Sequence, residues 1–272
     1  MALTVEQRIL EAAQRLVGGG AVSGWASLRL AGANLSDGLG PDGTSVLPVP
    51  LVVPTTANLR PGPGSVRHRM LLPASEVVER HGVPCTVVPR AVLDGVRWAS
   101  DEREGVVIVD VALAAGLTSI SRLTAYAGRL GRAPGVTRFR RALSLANDRS
   151  RSPNETRMRL IWRLDGGFPE PRCNWPIADL DGRRIGRPDL LVDALAVVGE
   201  FDGADHRGAR VRSTDFGKES DYRDVGLEVF RVTGSDLANR TLVLGRMRAA
   251  VRRAAESGRP RAWMVGVDPG PL

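Results

Sequence analysis

The sequence predicts an α/β protein. Residues 151–258 read as a mixed sheet flanked by helices, preceded over 1–150 by a mainly helical domain with a few short strands, and followed by a tail at 259–272. Three observations lead to this reading. Ser152-Pro153-Asn154-Glu155 is a helix start, with Ser at the N-cap, Pro at the first helical position and Glu at the third. Leu195–Phe201 is a nearly continuous apolar run, as expected of a strand buried on both faces. Between and after these, helical and strand-like patterns alternate in the order α-β-β-β-α-β-α.

The elements follow from local pattern. Residues 3–17 and 21–31 read as two short helices separated by Gly18-Gly19-Gly20. A loop rich in Gly, Pro and Asp runs from Asn34 to Val46. Leu47–Val53, Ser65–Leu72 and the β-branched run Val83–Val88 are strand-like, with Pro54 and the stretch 60–64 as punctuation. Pro89 opens a helix over 89–99, and helical patterns continue over 102–115, 118–130 and 136–149. The domain boundary falls at Asp148–Arg151. After the Ser152 helix, Trp175–Leu180 and Arg187–Val192 read as strands joined by the turn pair Asp181-Gly182. A helix over 213–225, a strand over Leu227–Val232 and a last helix over Leu237–Ser257 complete the order. Leu244, Met247, Val251 and Ala254 of that last helix point inward, and Arg246, Arg252 and Arg253 outward.

Composition narrows the classes. No apolar run reaches the roughly 18–20 residues that a membrane span needs. Met1–Leu16 carries Glu6, Arg8, Glu11 and Arg15 within its apolar pattern, so it reads as an amphipathic helix and not as a signal peptide, which points to the cytoplasm. Cys85 and Cys173 are the only cysteines and match no metal spacing. With three histidines in all, no ordinary structural zinc site is expected. The formal net charge is +8, carried by 37 arginines and one lysine, Lys218. From Arg122 to Arg163 there are eleven arginines against two acids, Asp148 and Glu155. Such a stretch ahead of a carboxylate cluster suits a polyanionic partner, although a solvated arginine-rich helix face gives the same pattern.

The chemistry-bearing residues lie at 189–206. Side chains alternate across a strand, so Glu200 and Asp202 share one face and Phe201 takes the other. Asp189, eleven residues earlier on the adjacent strand, reaches toward the same point. Three carboxylates around one point repel each other unless a cation lies between them, and all-oxygen sites suit Mg²⁺ or Mn²⁺. His206 titrates in the range useful to a general base. Asp189, Glu200 and Asp202 are therefore the expected metal carboxylates.

Taken in order, five pieces resemble the DUF559-type endonuclease domains, relatives of the very-short-patch-repair endonuclease within the PD-(D/E)xK superfamily. They are Ser152-Pro153-Asn154-Glu155, Pro188-Asp189-Leu190, the stretch from Gly199-Glu200-Phe201-Asp202-Gly203 to His206, Asp215-Phe216-Gly217-Lys218, and Gly226-Leu227 through Arg231. The resemblance covers about 152–232 and implies a restriction-endonuclease-like fold. It implies that Asp189 and Glu200 bind the metal, that Glu155 is a supporting acid, and that Asp202 and His206 position or activate the attacking water. The superfamily commonly has lysine two residues after the second acid. Here Asp202 stands there, as in other DUF559-like chains, and Lys218 is a possible replacement. Residues 1–150 are similar, more loosely, to the region preceding such domains in actinobacterial abortive-infection type IV antitoxin proteins. The cues are Ser23-Gly24-Trp25-Ala26-Ser27-Leu28 and Pro89-Arg90-Ala91-Val92-Leu93-Asp94, with no complete winged helix-turn-helix ahead of them.

Plainer readings stand beside these. Glu155 can complete a capping box, Asp202-Gly203 can be turn chemistry, His206 a loop histidine, and Asp215 with Lys218 a solvated pair. Trp25, Trp98 and Trp162 fall on apolar helical faces and read as core. No role follows from the sequence for Arg172–Ile177. The two functional expectations are a metal-dependent DNA endonuclease, or a DNA-binding or antitoxin-like regulator whose nuclease fold is catalytically silent; a plain interaction scaffold is the third.

Overall fold

A computed structural model describes residues 3–57, 60, 62–203 and 219–267. The chain is mixed α/β and forms two compact units, Met1–Asp148 and Arg149–Leu272. No helix among the described residues is long and apolar enough to cross a membrane.

The first unit combines a five-stranded sheet with six α-helices among its described residues. Helix α1 (Val5–Ala13) starts on a capping box, in which Thr4 accepts from Gln7 N–H while the Gln7 side chain accepts from Thr4 N–H. Strand β1 (Ala21–Val22) is the sheet centre, antiparallel to β2 (Val49–Val53) and parallel to β5 (Val83–Thr86). Strands β3 (Ser65–Arg69) and β4 (Val77–Arg80) form the edges, in the order β3-β2-β1-β5-β4. The expected helix over 21–31 is thus shorter: Ala21 and Val22 are wholly buried between neighbouring strands, and α2 (Gly24–Leu30) begins only after extended Ser23. Four helices follow, α3 (Val88–Trp98), α4 (Glu102–Ala114), α5 (Ile120–Arg129) and α6 (Val136–Leu145), close to their expected spans. The two antitoxin-like cue segments meet inside this unit. Ser23 Oγ donates to wholly buried Asp94 at 2.8 Å, and Asp94 also accepts from Arg90 and Arg97 at 2.9 and 2.8 Å.

In the second unit, α7 (Pro153–Leu160) starts where expected, with Ser152 Oγ accepting from Glu155 N–H. It runs on as a π-helical turn over Ile161–Asp165. A four-stranded sheet follows in the order β11-β10-β9-β6, from β6 (Arg172–Cys173), β9 (Leu190–Val192), β10 (Val197–Asp202) and β11 (Glu228–Thr233). Strands β9 and β10 are antiparallel, whereas β10 and β11 are parallel and paired over their full length. One face packs Met158, Ile161 and Trp162 and the last helix (Arg240–Glu256) against Val197, Phe230 and Val232. Trp162 is wholly buried, stacked 5.6 Å from the Phe230 ring, with its indole N–H on Pro169 O at 2.8 Å. The other face carries Leu191, Val198, Tyr222, Leu227 and Val229, packed with Ile177 and Trp263.

Two differences from the expected order concern β7 (Ile177–Asp179), β8 (Arg184–Gly186) and β12 (Trp263–Val265), which make a separate sheet in the order β12-β7-β8. The hairpin partner of β7 is β8, not 187–192. Pro188 has no N–H and disfavours helical backbone at Arg187, so the chain leaves one sheet there before Leu190 enters the other. The expected tail contributes β12, because Trp263 is buried with 1% exposure and its strand pairs with β7. On the last helix, Val243, Met247 and Ala250 are buried, and the expected inward residues Leu244, Val251 and Ala254 pack, partly buried, against the same core. Its expected outward arginines Arg252 and Arg253 are exposed and Arg246 is partly so; Arg246 pairs with Asp236 at 2.6 and 3.0 Å and Arg253 with Glu228 at 3.0 Å.

Candidate active site

The β9–β10 ladder ends at the pair Leu190 and Gly199. Asp189 immediately precedes β9, in a bend, and Glu200 follows Gly199 on β10. The Asp189 side chain closes the ladder: its Oδ2 accepts the Phe201 N–H at 2.6 Å, and its backbone carbonyl accepts from Asn174 N–H at 3.1 Å.

Glu200 lies on the strand face that carries Val198, opposite the face of Val197, Gly199 and Phe201. Tyr222, from the helical residues 219–224, packs on that face with 2% exposure. Burial, and then the Glu200 carboxylate to which its hydroxyl is hydrogen-bonded, push the Tyr222 pKa well above the ordinary value; Asp189 adds in the same direction. A neutral phenol is thus held as a donor beside two acids. The fit is close enough to require glycine at 186, where a Cβ would run into the Tyr222 hydroxyl.

Asp202 shares Glu200's face by alternation but stands roughly 7 Å further along the strand. It is exposed at the end of β10, opposite Thr233. Among the described residues, no three His, Cys, Asp or Glu side chains form a group that could hold a metal ion. Alternation puts Asp202 on the face of Glu200 at the strand end, and Glu200 and Asp189 both act on the Tyr222 hydroxyl. His206, Asp215 and Lys218 lie outside the described residues.

Glu155 is buried and engaged from two sides: its Oε2 accepts from Arg151 N–H at 2.8 Å and from Asn174 Nδ2 at 2.7 Å. The capping-box alternative is met in modified form, since the side chain reaches the amide before the N-cap. Asn174, for which the sequence suggested no role, is the hub. It is 3% exposed with φ +50°, and its Nδ2 also donates to Arg149 O at 2.9 Å. Its backbone N–H holds Asp189 O, and its own carbonyl accepts from Arg187 Nε at 2.6 Å. Asparagine tolerates the left-handed region better than other non-glycine residues, which is the one signal the sequence offered.

The arginine-rich stretch crosses the division between the units, and much of it is used internally. Arg140 donates to Ala127 O, Arg141 pairs with Glu102, Arg157 donates to Asn154, and Arg163 pairs with Glu170. Compared with known protein families, with curated proteins and with solved structures, the chain matches none.

Proposed function

We propose that the second unit is a metal-dependent endonuclease that hydrolyses phosphodiester bonds in DNA at Asp189 and Glu200. What carries this reading is that Glu200 and Asp189 both act on the buried Tyr222 hydroxyl at the end of a mixed sheet. A helix followed by the antiparallel β9–β10 pair and the parallel β10–β11 pair supports the resemblance drawn from the motifs. The donor set fits Mg²⁺ or Mn²⁺, because a hard ion that keeps several waters is commonly held by only one or two carboxylates. Asp189 and Glu200 would hold the ion, which would neutralise phosphate charge and lower the pKa of a bound water. Asp202 and His206 would orient that water or take its proton. Buried Cys85 and Cys173, which are in no disulfide, suit a reducing compartment, and the reading assigns the protein to the cytoplasm.

A second reading is a DNA-binding or antitoxin-like regulator with a silent nuclease fold. It is favoured by the Tyr222 hydroxyl that already occupies Glu200, and by Asp202 where lysine is usual. Supercoiled plasmid incubated with Mg²⁺ or Mn²⁺ separates the two. The enzyme reading expects nicking by the wild type, its loss in Asp189→Ala and Glu200→Ala with DNA binding kept, and a slowing of about 10²–10⁴-fold in His206→Ala. Binding by all four proteins without cleavage under either ion identifies the silent regulator. Cleavage that survives Asp189→Ala overturns the site.

A further inference from the structure

Beside Asp189 lies a cluster of arginines that the proposed chemistry does not use. Arg187, two residues before Asp189, is fixed through Nε on Asn174 O at 2.6 Å. Its Nη2 is buried and has no hydrogen-bond partner among the described residues. The guanidiniums of Arg151, Arg184 and Arg149 lie within electrostatic reach of it. Arg149 is held in place by its ring contact, 4.4 Å over the Trp175 indole, and its carbonyl is bonded to Asn174. Arg151 starts α7 through Glu155, and Arg184 projects from β8, exposed. Of the acids near this cluster, Glu155 accepts from the Arg151 amide and from Asn174, and Asp189 Oδ2 accepts from the Phe201 N–H.

Gathering like charges costs energy, and a half-buried guanidinium with an unmet donor costs more. An anion with several acceptor oxygens offsets both. Phosphate has the right shape, since the planar fork of arginine binds it through paired hydrogen bonds. Asn174 positions both groups: its N–H holds the Asp189 carbonyl and its own carbonyl holds Arg187.

We infer that Arg187, with Arg151, Arg184 and Arg149, is a clamp for a backbone phosphate of the DNA strand, positioning the strand beside Asp189 and Glu200. The inference rests on the endonuclease reading for its substrate, but not on cleavage. Arg187 and its neighbours are positioning residues and touch no reacting atom.

The test is DNA binding by the full chain with excess chelator, so that no cleavage enters, as a function of salt. Each phosphate contact contributes about 0.9 to the slope of log affinity against log salt, so losing one contact lowers the slope by about one. Arg184→Gln and Arg187→Gln are each expected to weaken binding about tenfold at low salt and to lower the slope by about one. Arg183→Gln, one residue away with its charge on Asp179, is expected to leave the slope unchanged. Arg187 also bonds the backbone, so each variant is checked by thermal melting, and exposed Arg184 carries the test if Arg187→Gln unfolds. An unchanged slope in Arg184→Gln and in folded Arg187→Gln overturns the clamp, as does an equal drop in Arg183→Gln, which would mean bulk charge alone. Preference for RNA over DNA of the same sequence overturns the DNA assignment. Loss of slope in a protein that nicks nothing under Mg²⁺ or Mn²⁺ keeps the clamp and rejects the enzyme, so the two readings fail separately.

Discussion

Replacing Glu155 by alanine distinguishes an architectural acid from a catalytic one. The carboxylate is buried, and its Oε2 accepts from Arg151 N–H at 2.8 Å and Asn174 Nδ2 at 2.7 Å. Hydrogen bonds to a charged partner contribute about 1.5–3 kcal/mol each, so the pair sums to about 3–6 kcal/mol. The lower end applies here. Both bonds share one oxygen, Asn174 keeps its bond to Arg149 O, and exposed Arg151 can turn its N–H to water. A loss of about 3 kcal/mol corresponds to about two decades in an equilibrium constant. Glu155→Gln keeps a neutral acceptor, whose bonds contribute about 0.5–1.5 kcal/mol each, so its loss should be about half that of alanine. Amide hydrogen exchange of the buried β10 residues reads this directly, since protection there reports opening of the second unit independently of the first. Protection should fall about 100-fold in Glu155→Ala and about tenfold in Glu155→Gln, with plasmid nicking per folded molecule retained. Protection within about fivefold of wild type, together with abolished nicking, would refute the architectural role and return Glu155 to the chemistry.

Three further outcomes are expected. The chain has two tyrosines, Tyr126 and Tyr222, both buried and both with pKa raised, by burial first and then by the acids Glu76 and Glu200. Each favours the folded state below the unfolded value of about 10 and withdraws that support as pH rises above it. Phenolate absorbance should therefore stay silent to about pH 11 and then appear in one step with alkaline unfolding; a gradual rise from pH 10 in the folded protein contradicts the burial. Asp236 has its carboxyl held below the usual range by the Thr233 N–H and hydroxyl and by Arg246. Its support is present above the unfolded value of about 3.9 and is lost as pH falls through the lower folded value. Denaturant titrations at pH 5 and pH 3 should show a smaller difference in Asp236→Asn than in wild type, and an equal difference rejects the assignment. Gly199→Ala drives a Cβ into the Phe230 ring, which stacks on buried Trp162, and should cost about 1–3 kcal/mol in denaturant unfolding. Phe230→Leu added to it should recover part of that loss, and simple additivity of the two would mean they do not touch.

What the sequence disclosed divides by range of interaction. Helices α3 to α7 were legible because their signals are local: Pro89 and Pro153 in the first turn, Ser152 as an N-cap, and helical periodicity in the rest. Three of the shortest strands were not. Ala21–Val22, Arg172–Cys173 and Trp263–Val265 are strands only through distant partners, so no alternation can develop within them. The hairpin at Asp181-Gly182 was read correctly as a turn but given the wrong second strand, because Arg187–Val192 has better strand composition than Arg184–Gly186. In the site, the face shared by Glu200 and Asp202 was legible from alternation along β10, whereas reach along the strand was not, because period-two patterning specifies a face and says nothing of distance along it.

Asn174 exposes the deeper reason that composition and periodicity stop short of the site. Four segments come together there: the start of α7 through Glu155, the end of β6 through Asn174 itself, the entry to β9 through Asp189, and β10 through Phe201. None of these links is a regular helix or sheet hydrogen bond. Each is a side chain or a turn amide standing in where a ladder has ended, and such substitutes leave no periodic trace in the sequence. They also share partners, so energies at Glu155, Asn174, Arg187 and Asp189 are coupled and should not add. The same coupling gives the site its rigidity. A carboxylate whose oxygen is tied to a strand amide and whose carbonyl is tied to a buried asparagine has few ways to move. The guanidinium tied to that asparagine is fixed relative to it. A strand held by Arg187 would thus meet Asp189 at a distance set by one residue, which is why a change at Asn174 would disturb binding and chemistry together while touching neither phosphate nor metal.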